Sequence, residues 1–172
     1  MPTRGSRPSP TKCSDDAGGS RRARTWAAQT GWVALIVGCS LLAAQAETLR
    51  PFTAVGDAIP QSLTGRPGDP QRGREVVVNR QLGNCLLCHR LPIPGERFQG
   101  TLGPDLSGVA TRLSDGQIRL RIVDASRLNP ATIMPPYYRV EGLRRVMTAY
   151  RDKPVLTAEQ VEDAVALLLT FR

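Results

Sequence analysis

The stretch Gly83-Asn84-Cys85-Leu86-Leu87-Cys88-His89 carries more information than any other part of this 172-residue chain. Two thiols separated by two residues and followed at once by an imidazole have the spacing of a c-type haem attachment site. Each sulfur can form a thioether with one vinyl group of a single porphyrin, and the histidine then lies under the iron as an axial ligand. Two other uses of a Cys-x-x-Cys pair compete with this one. A zinc site needs a second pair of Cys or His ligands, but His89 is the sole histidine and the other two cysteines, Cys13 and Cys39, fall in a segment read as a removable leader. A thioredoxin-like redox pair belongs in a βαβ pattern, which the flanking sequence lacks. Cys85 and Cys88 are therefore read as the covalent anchors of one haem c, and His89 as a ligand of its iron.

Residues 1–46 have the build of a secretory leader. Arg21, Arg22 and Arg24 form a positive region, Gly31 to Ala43 is apolar, and Ala44-Gln45-Ala46 has the small-x-small form of a cleavage site. The mature chain is expected to start at Glu47. The apolar run is short for a bilayer span, so no stable membrane insertion is expected. Arg21-Arg22 lacks the hydrophobic pair that would mark twin-arginine export. Ile36-Val37-Gly38-Cys39 resembles a lipobox, which leaves a lipoprotein anchored at Cys39 as the alternative. Haem attachment to this motif takes place outside the cytoplasm, so leader and motif agree on the periplasm.

Cleavage leaves one small domain. The leader takes six of the 23 basic and two of the 15 acidic residues with it, and the formal excess of +8 falls by half. A nucleic-acid partner is not supported by what remains. Both tryptophans also leave, and the mature aromatics are Phe52, Phe98, Phe171 and three tyrosines. A haem supplies the apolar mass that so few aromatics cannot.

Residues 47–68 are rich in proline and glycine and read as an extended N-terminal arm, either floppy or docked through Phe52, Val55, Ile59 and Leu63. A domain over 69–172 follows. Asp69-Pro70 is an N-cap with proline at the first helical position, predicting a helix to about Leu82 that stops at Gly83, with Val76 and Val77 on its buried face. Residues 90–112 are loop-like. Ser114-Asp115-Gly116-Gln117 is a capping box for a helix to about Ser126. Ile118, Leu120 and Ile122 also alternate like a strand, but the cap and the Ile118/Ile122/Ala125 spacing favour helix. A proline-rich loop over 129–138 carries Met134, and 142–150 reads as a short helix. Thr157-Ala158-Glu159-Gln160 is a second capping box, opening a helix with Val161, Ala164, Val165, Leu168 and Leu169 on one face.

With no second histidine, the other axial ligand is sought among the methionines. Met134 lies in Ile133-Met134-Pro135-Pro136, where prolines stiffen the loop. Met147 sits at helical spacing, where methionine is usually core packing. Met134 is the expected ligand, and the competing reading has it filling a gap beside a five-coordinate iron. Tyr137 and Tyr138 are candidates for covering the haem edge or reaching a propionate, or else are surface aromatics.

This all-α order of elements, with Gly103-Pro104-Asp105-Leu106 and a late methionine-proline loop, resembles the class I cytochrome c fold, in which the first and last helices cross around one covalently bound haem. That resemblance implies that the Pro104 carbonyl accepts a hydrogen bond from His89 and fixes its ring; the competing reading is an ordinary tight turn. A narrower likeness covers nearly the whole mature chain. Val55-Gly56-Asp57-Ala58-Ile59-Pro60, Leu63-Thr64-Gly65, Phe98-Gln99-Gly100-Thr101-Leu102-Gly103-Pro104, Arg121-Ile122-Val123-Asp124, Asn129-Pro130, Met134-Pro135-Pro136-Tyr137-Tyr138 and the ending from Leu156 to Asp163 are similar to the SoxX family. These are monohaem subunits of the SoxAX cytochrome of bacterial sulfur oxidation. The resemblance implies a heterodimer with a SoxA-type cytochrome that oxidatively couples thiosulfate to a cysteine of the SoxYZ carrier. The catalytic haem belongs to the other subunit, and this chain, with no catalytic residue of its own, passes the electrons to a soluble cytochrome c. Competing readings are a free-standing periplasmic electron shuttle, a haem enzyme or gas sensor with an open iron position, and a subunit whose haem only staples the fold. N-terminal sequencing of the exported protein is expected to begin at Glu47; a lipidated Cys39 at the terminus would establish the lipoprotein alternative.

Overall fold

A computed structural model describes residues 49–172; the expected leader and Glu47 lie outside them. Four α-helices, α1 (Pro70–Val78), α2 (Val109–Arg112), α3 (Asp115–Asp124) and α4 (Ala158–Leu168), are joined by loops and by single 3-10 turns at Cys85–Leu87, Ala125–Arg127 and Thr148–Tyr150. Among the described residues there is no strand, only an isolated bridge between Val55 and Ala58. No described helix is long and apolar enough to cross a membrane.

Local chemistry starts each of the longer helices. Asp69 accepts the N–H groups of Gln71 and Arg72, and Pro70 sits where no intrahelical donor is needed. Those same N–H bonds hold the Asp69 carboxyl below its ordinary range. Ser114 with Gln117 and Thr157 with Gln160 each form a complete reciprocal capping box. Helix α1 ends four residues short of the predicted Leu82. The Asn79 carboxamide turns back to accept the Gln81 N–H at 2.8 Å, which competes with helix continuation and starts the turn that ends at Gly83.

Helices α1 and α4 share the most extensive contact among the described helices. Gly73 makes that approach possible, since a Cβ there would collide with the Asp163 carbonyl. Val76 and Val77 of α1, Leu120 and Val123 of α3, and Val161 and Val165 of α4 share one core. Residues 49–68 contain no helix, yet Ile59 and Leu63 are buried in that core while Val55 is exposed. Burial of such side chains contributes about 1.5–3 kcal/mol each.

A polar seam runs through this core. Arg119 of α3 and Glu162 of α4, 3% and 2% exposed, face each other through Nε–Oε1 at 2.8 Å and a second bond at 3.0 Å. The seam continues into the N-terminal segment: Arg119 donates to the Ile59 carbonyl at 2.6 Å, and Glu162 accepts the Leu63 N–H at 2.9 Å. Asp163, next along α4, takes both the side chain of Arg72 and the Asp69 N–H. At the end of α3, buried Asp124 accepts from Arg139 at 2.9 Å and so draws the chain beyond Met134 against the helix.

Residues 142–150 depart from the predicted short helix. Gly142 and Arg145 take φ of +69° and +57°, left-handed values that interrupt a right-handed helix, and only Thr148–Tyr150 makes one 3-10 turn. Met147, read as core packing on that helix, is instead 70% exposed. Glu162→Ala is expected to lower stability by about 3–5 kcal/mol, because it strands a buried guanidinium. Denaturant unfolding checks this, and a loss below 1 kcal/mol would show that the seam is not structural.

Candidate functional site

Cys85–Leu87 forms its turn from bonds within a few residues. Asn84 enters it in the left-handed region, a conformation that asparagine tolerates better than most side chains. The N–H groups of Leu87, Cys88 and His89 then close on the carbonyls of Asn84, Cys85 and Cys85 at 3.1, 3.1 and 2.9 Å. The result is two free thiols and an imidazole on one compact turn, all three partly buried. Burial pushes the Cys85 thiol up to about 12, so it remains protonated at neutral pH. Gly83 ties this turn to α1 by donating to the Val76 carbonyl at 3.0 Å. A Cβ at Gly83 would stand 2.8 Å from that carbonyl and 3.2 Å from Cys85 Sγ, so a larger residue would push on the sulfur.

Residues 100–106 run alongside. Gly100 N–H donates to the Leu86 carbonyl at 2.8 Å, Gly103 N–H to that of Cys88 at 2.8 Å, and Leu106 N–H to that of Arg90 at 2.9 Å. The approach leaves no room for side chains: a Cβ at Gly100 would strike the Leu87 carbonyl, and one at Gly103 the His89 ring itself. His89 Nδ1 lies 2.8 Å from the Pro104 carbonyl. A carbonyl can only accept, so Nδ1 carries the proton and donates, and the lone pair of the neutral imidazole is the one on Nε2.

Met134 is half-buried on the loop over 129–138, and its N–H donates to Thr132 Oγ1 at 3.2 Å. The two tyrosines that follow turn to different partners. Tyr137 donates its phenol to the Gly83 carbonyl at 2.7 Å, which joins the methionine loop to the cysteine turn. Burial above all, and then the charge Cys85 and Cys88 carry when ionised, push its ionisation well above the usual phenol range, so it is a donor at neutral pH. Tyr138 is 1% exposed and accepts the Arg50 N–H at 2.8 Å, which removes the surface-aromatic alternative for it. The main-chain N–H groups of both tyrosines donate to Ile122 and Val123 at the end of α3, at 3.2 Å each.

Sequence reasoning missed the Tyr137–Gly83 bond and the tight seating of Gly100 and Gly103. The Gly-x-x-Gly spacing was visible, but nothing local announces which backbone it approaches. Among the described residues, no group of three or more His, Cys, Asp and Glu side chains gathers closely enough to hold a bare metal ion. Large apolar side chains lie open beside the candidate residues: Leu102, next to Gly103, is 73% exposed and Ile133, next to Met134, 77%. Two thiols, an imidazole with one free nitrogen and uncovered apolar neighbours together suit a flat apolar group with a metal at its centre.

No family model matches the chain, and no curated protein does. It is similar to a chain in the crystal structure of SoxXA from P. pantotrophus, at 35% sequence identity and a TM-score of 0.66, over 73% of this chain and 98% of that one. At the site itself, Gly103→Ala is expected to displace the His89 ring and to cost about 1–3 kcal/mol through overpacking. Thermal unfolding and the imidazole Nδ1–H resonance read this out; wild-type values for both would mean that the ring yields freely.

Proposed function

The chain belongs to the SoxX family, and on that premise we propose that it is the monohaem electron-relay subunit of a SoxAX-type complex. The observation that carries this reading is the turn at 85–89. Two free thiols stand beside an imidazole whose Nδ1 is already committed to Pro104.

The residues fit a covalently held haem c. Cys85 and Cys88 would tether it through thioethers, and His89 Nε2 and the Met134 thioether would ligate its iron. Leu102 and Ile133, exposed next to Gly103 and Met134 in the chain, would offer it apolar surface. When bound, the haem supplies a one-electron couple at its iron, and histidine–methionine ligation raises its potential.

The protein's own groups do the positioning. The Pro104 carbonyl holds the proton on His89 Nδ1 and sets the ring plane, which raises the basicity of Nε2. Gly103 lets the backbone close against the ring, so the imidazole cannot swing. Pro135 and Pro136 stiffen the chain after Met134. No described thiol other than the two anchors exists to bind sulfur. In this reading the chain is an electron relay in a periplasmic heterodimer with a SoxA-type cytochrome. Electrons released when that complex couples thiosulfate to a SoxYZ cysteine pass through this subunit to a soluble cytochrome c.

Purification of the C-terminally tagged, haem-loaded chain from its own host grown on thiosulfate tests the reading. A stoichiometric second c-type cytochrome and thiosulfate-coupling activity in the eluate are expected. Recovery of the chain alone, fully haem-loaded, would replace the complex subunit with a free-standing shuttle.

A further inference from the structure

Met134 has little hold of its own. Its one backbone donor reaches only Thr132, two residues back, and the neighbouring Ile133 side chain stands in the open. The firm attachment lies three residues downstream. Pro135 and Pro136 fix two successive φ angles and so transmit position from Tyr137 to Met134. Tyr137 is fastened on three sides: its N–H to the Ile122 carbonyl at 3.2 Å, its carbonyl to the Leu156 N–H at 3.0 Å, and its phenol to the Gly83 carbonyl at 2.7 Å. The first two bonds fix the backbone to α3 and to the approach to α4. The third alone of these reaches the cysteine turn, at a glycine packed against Cys85 Sγ.

We propose that Tyr137 is a positioning residue whose hydroxyl, by holding the Gly83 carbonyl, latches the Met134 loop to the Cys85–His89 turn and keeps the Met134 thioether on the iron against outside ligands. The inference rests on the reading of Met134 as axial ligand. Its physical content is a local opening equilibrium: without the phenol, the loop has one less bond to break before an external ligand enters. Phenylalanine keeps the ring and its packing and removes only the donor.

The test uses the haem-loaded protein and imidazole as the entering ligand. Binding to the oxidised iron is followed by stopped-flow absorption in wild type, Tyr137→Phe, Tyr138→Phe and Met134→Ala. Tyr138→Phe is the control, since it loses a buried hydroxyl that accepts from Arg50 rather than one that reaches the cysteine turn. Tyr137→Phe is expected to bind imidazole roughly tenfold faster, the weight of one hydrogen bond, with a weakened sulfur-to-iron charge-transfer band. Tyr138→Phe is expected to keep the wild-type rate, and Met134→Ala to bind fastest while retaining its haem. A wild-type rate in Tyr137→Phe, or equal acceleration in Tyr138→Phe, would overturn the latch while leaving Met134 as ligand. A wild-type rate in Met134→Ala would overturn the ligand assignment and the latch with it.

Discussion

Glu162 and Asp163 are consecutive residues of α4, both buried, and each is satisfied by one arginine and one backbone N–H from elsewhere. Glu162 takes Arg119 of α3 and the N–H of Leu63. Asp163 takes Arg72 of α1 and the N–H of Asp69, the residue that caps that same helix. An unpaired charge in such a place costs several kcal/mol, so neither carboxylate is tolerable until its partners arrive. The two side chains thereby decide which surfaces of α1, α3 and the N-terminal segment meet α4. Apolar packing alone does not discriminate among similar crossings so sharply.

From that frame the site follows in sequence. With α1 held against α4, its end at Val78 delivers Asn79 to Gly83 and then the cysteine turn. With α3 held, its last carbonyls at Ile122 and Val123 receive the tyrosines that follow Met134. The loop over 100–106 fills the remaining side, and its two glycines allow main chain to lie against main chain and ring. His89 is thus oriented by a carbonyl from one direction and by a bare Cα from another. Neither is a side chain that can change rotamer, and the ring's orientation is correspondingly firm.

Much of this was legible in the residues because the signals are local. Asp69-Pro70, Ser114 with Gln117, and Thr157 with Gln160 act over two or three residues, and the helices begin where those signals stand. The spacing of Cys85, Cys88 and His89 likewise carries its own geometry. Endings were less legible. Asn79 stopped α1 through its own side chain, where Gly83 had looked the stronger signal. The failure at 142–150 has a similar cause, for left-handed turns at Gly142 and Arg145 override an apolar spacing that helical periodicity would accept. Least legible were partners far apart in the chain. Arg119 sits in an apolar run as a conspicuous charge, yet nothing near it in sequence points to Glu162 or to the carbonyl of Ile59. Tyr137 and Tyr138 look equivalent on paper and turn to opposite tasks.

The separation of those partners along the chain has a bearing on time. Arg119 reaches back 60 residues to Ile59, Tyr138 reaches 88 to Arg50, and Glu162 reaches 99 to Leu63. Contacts of such long range make a fold slow to close, because a large loop must be ordered before any of them repays its entropy. The turn at 85–89 is made from bonds spanning three or four residues and forms in microseconds or less, on the order of other elementary turns. The backbone of that turn therefore closes on partners within its own few residues, whereas the His89 ring waits on Gly103 and Pro104, and the body around both waits on contacts of far longer range.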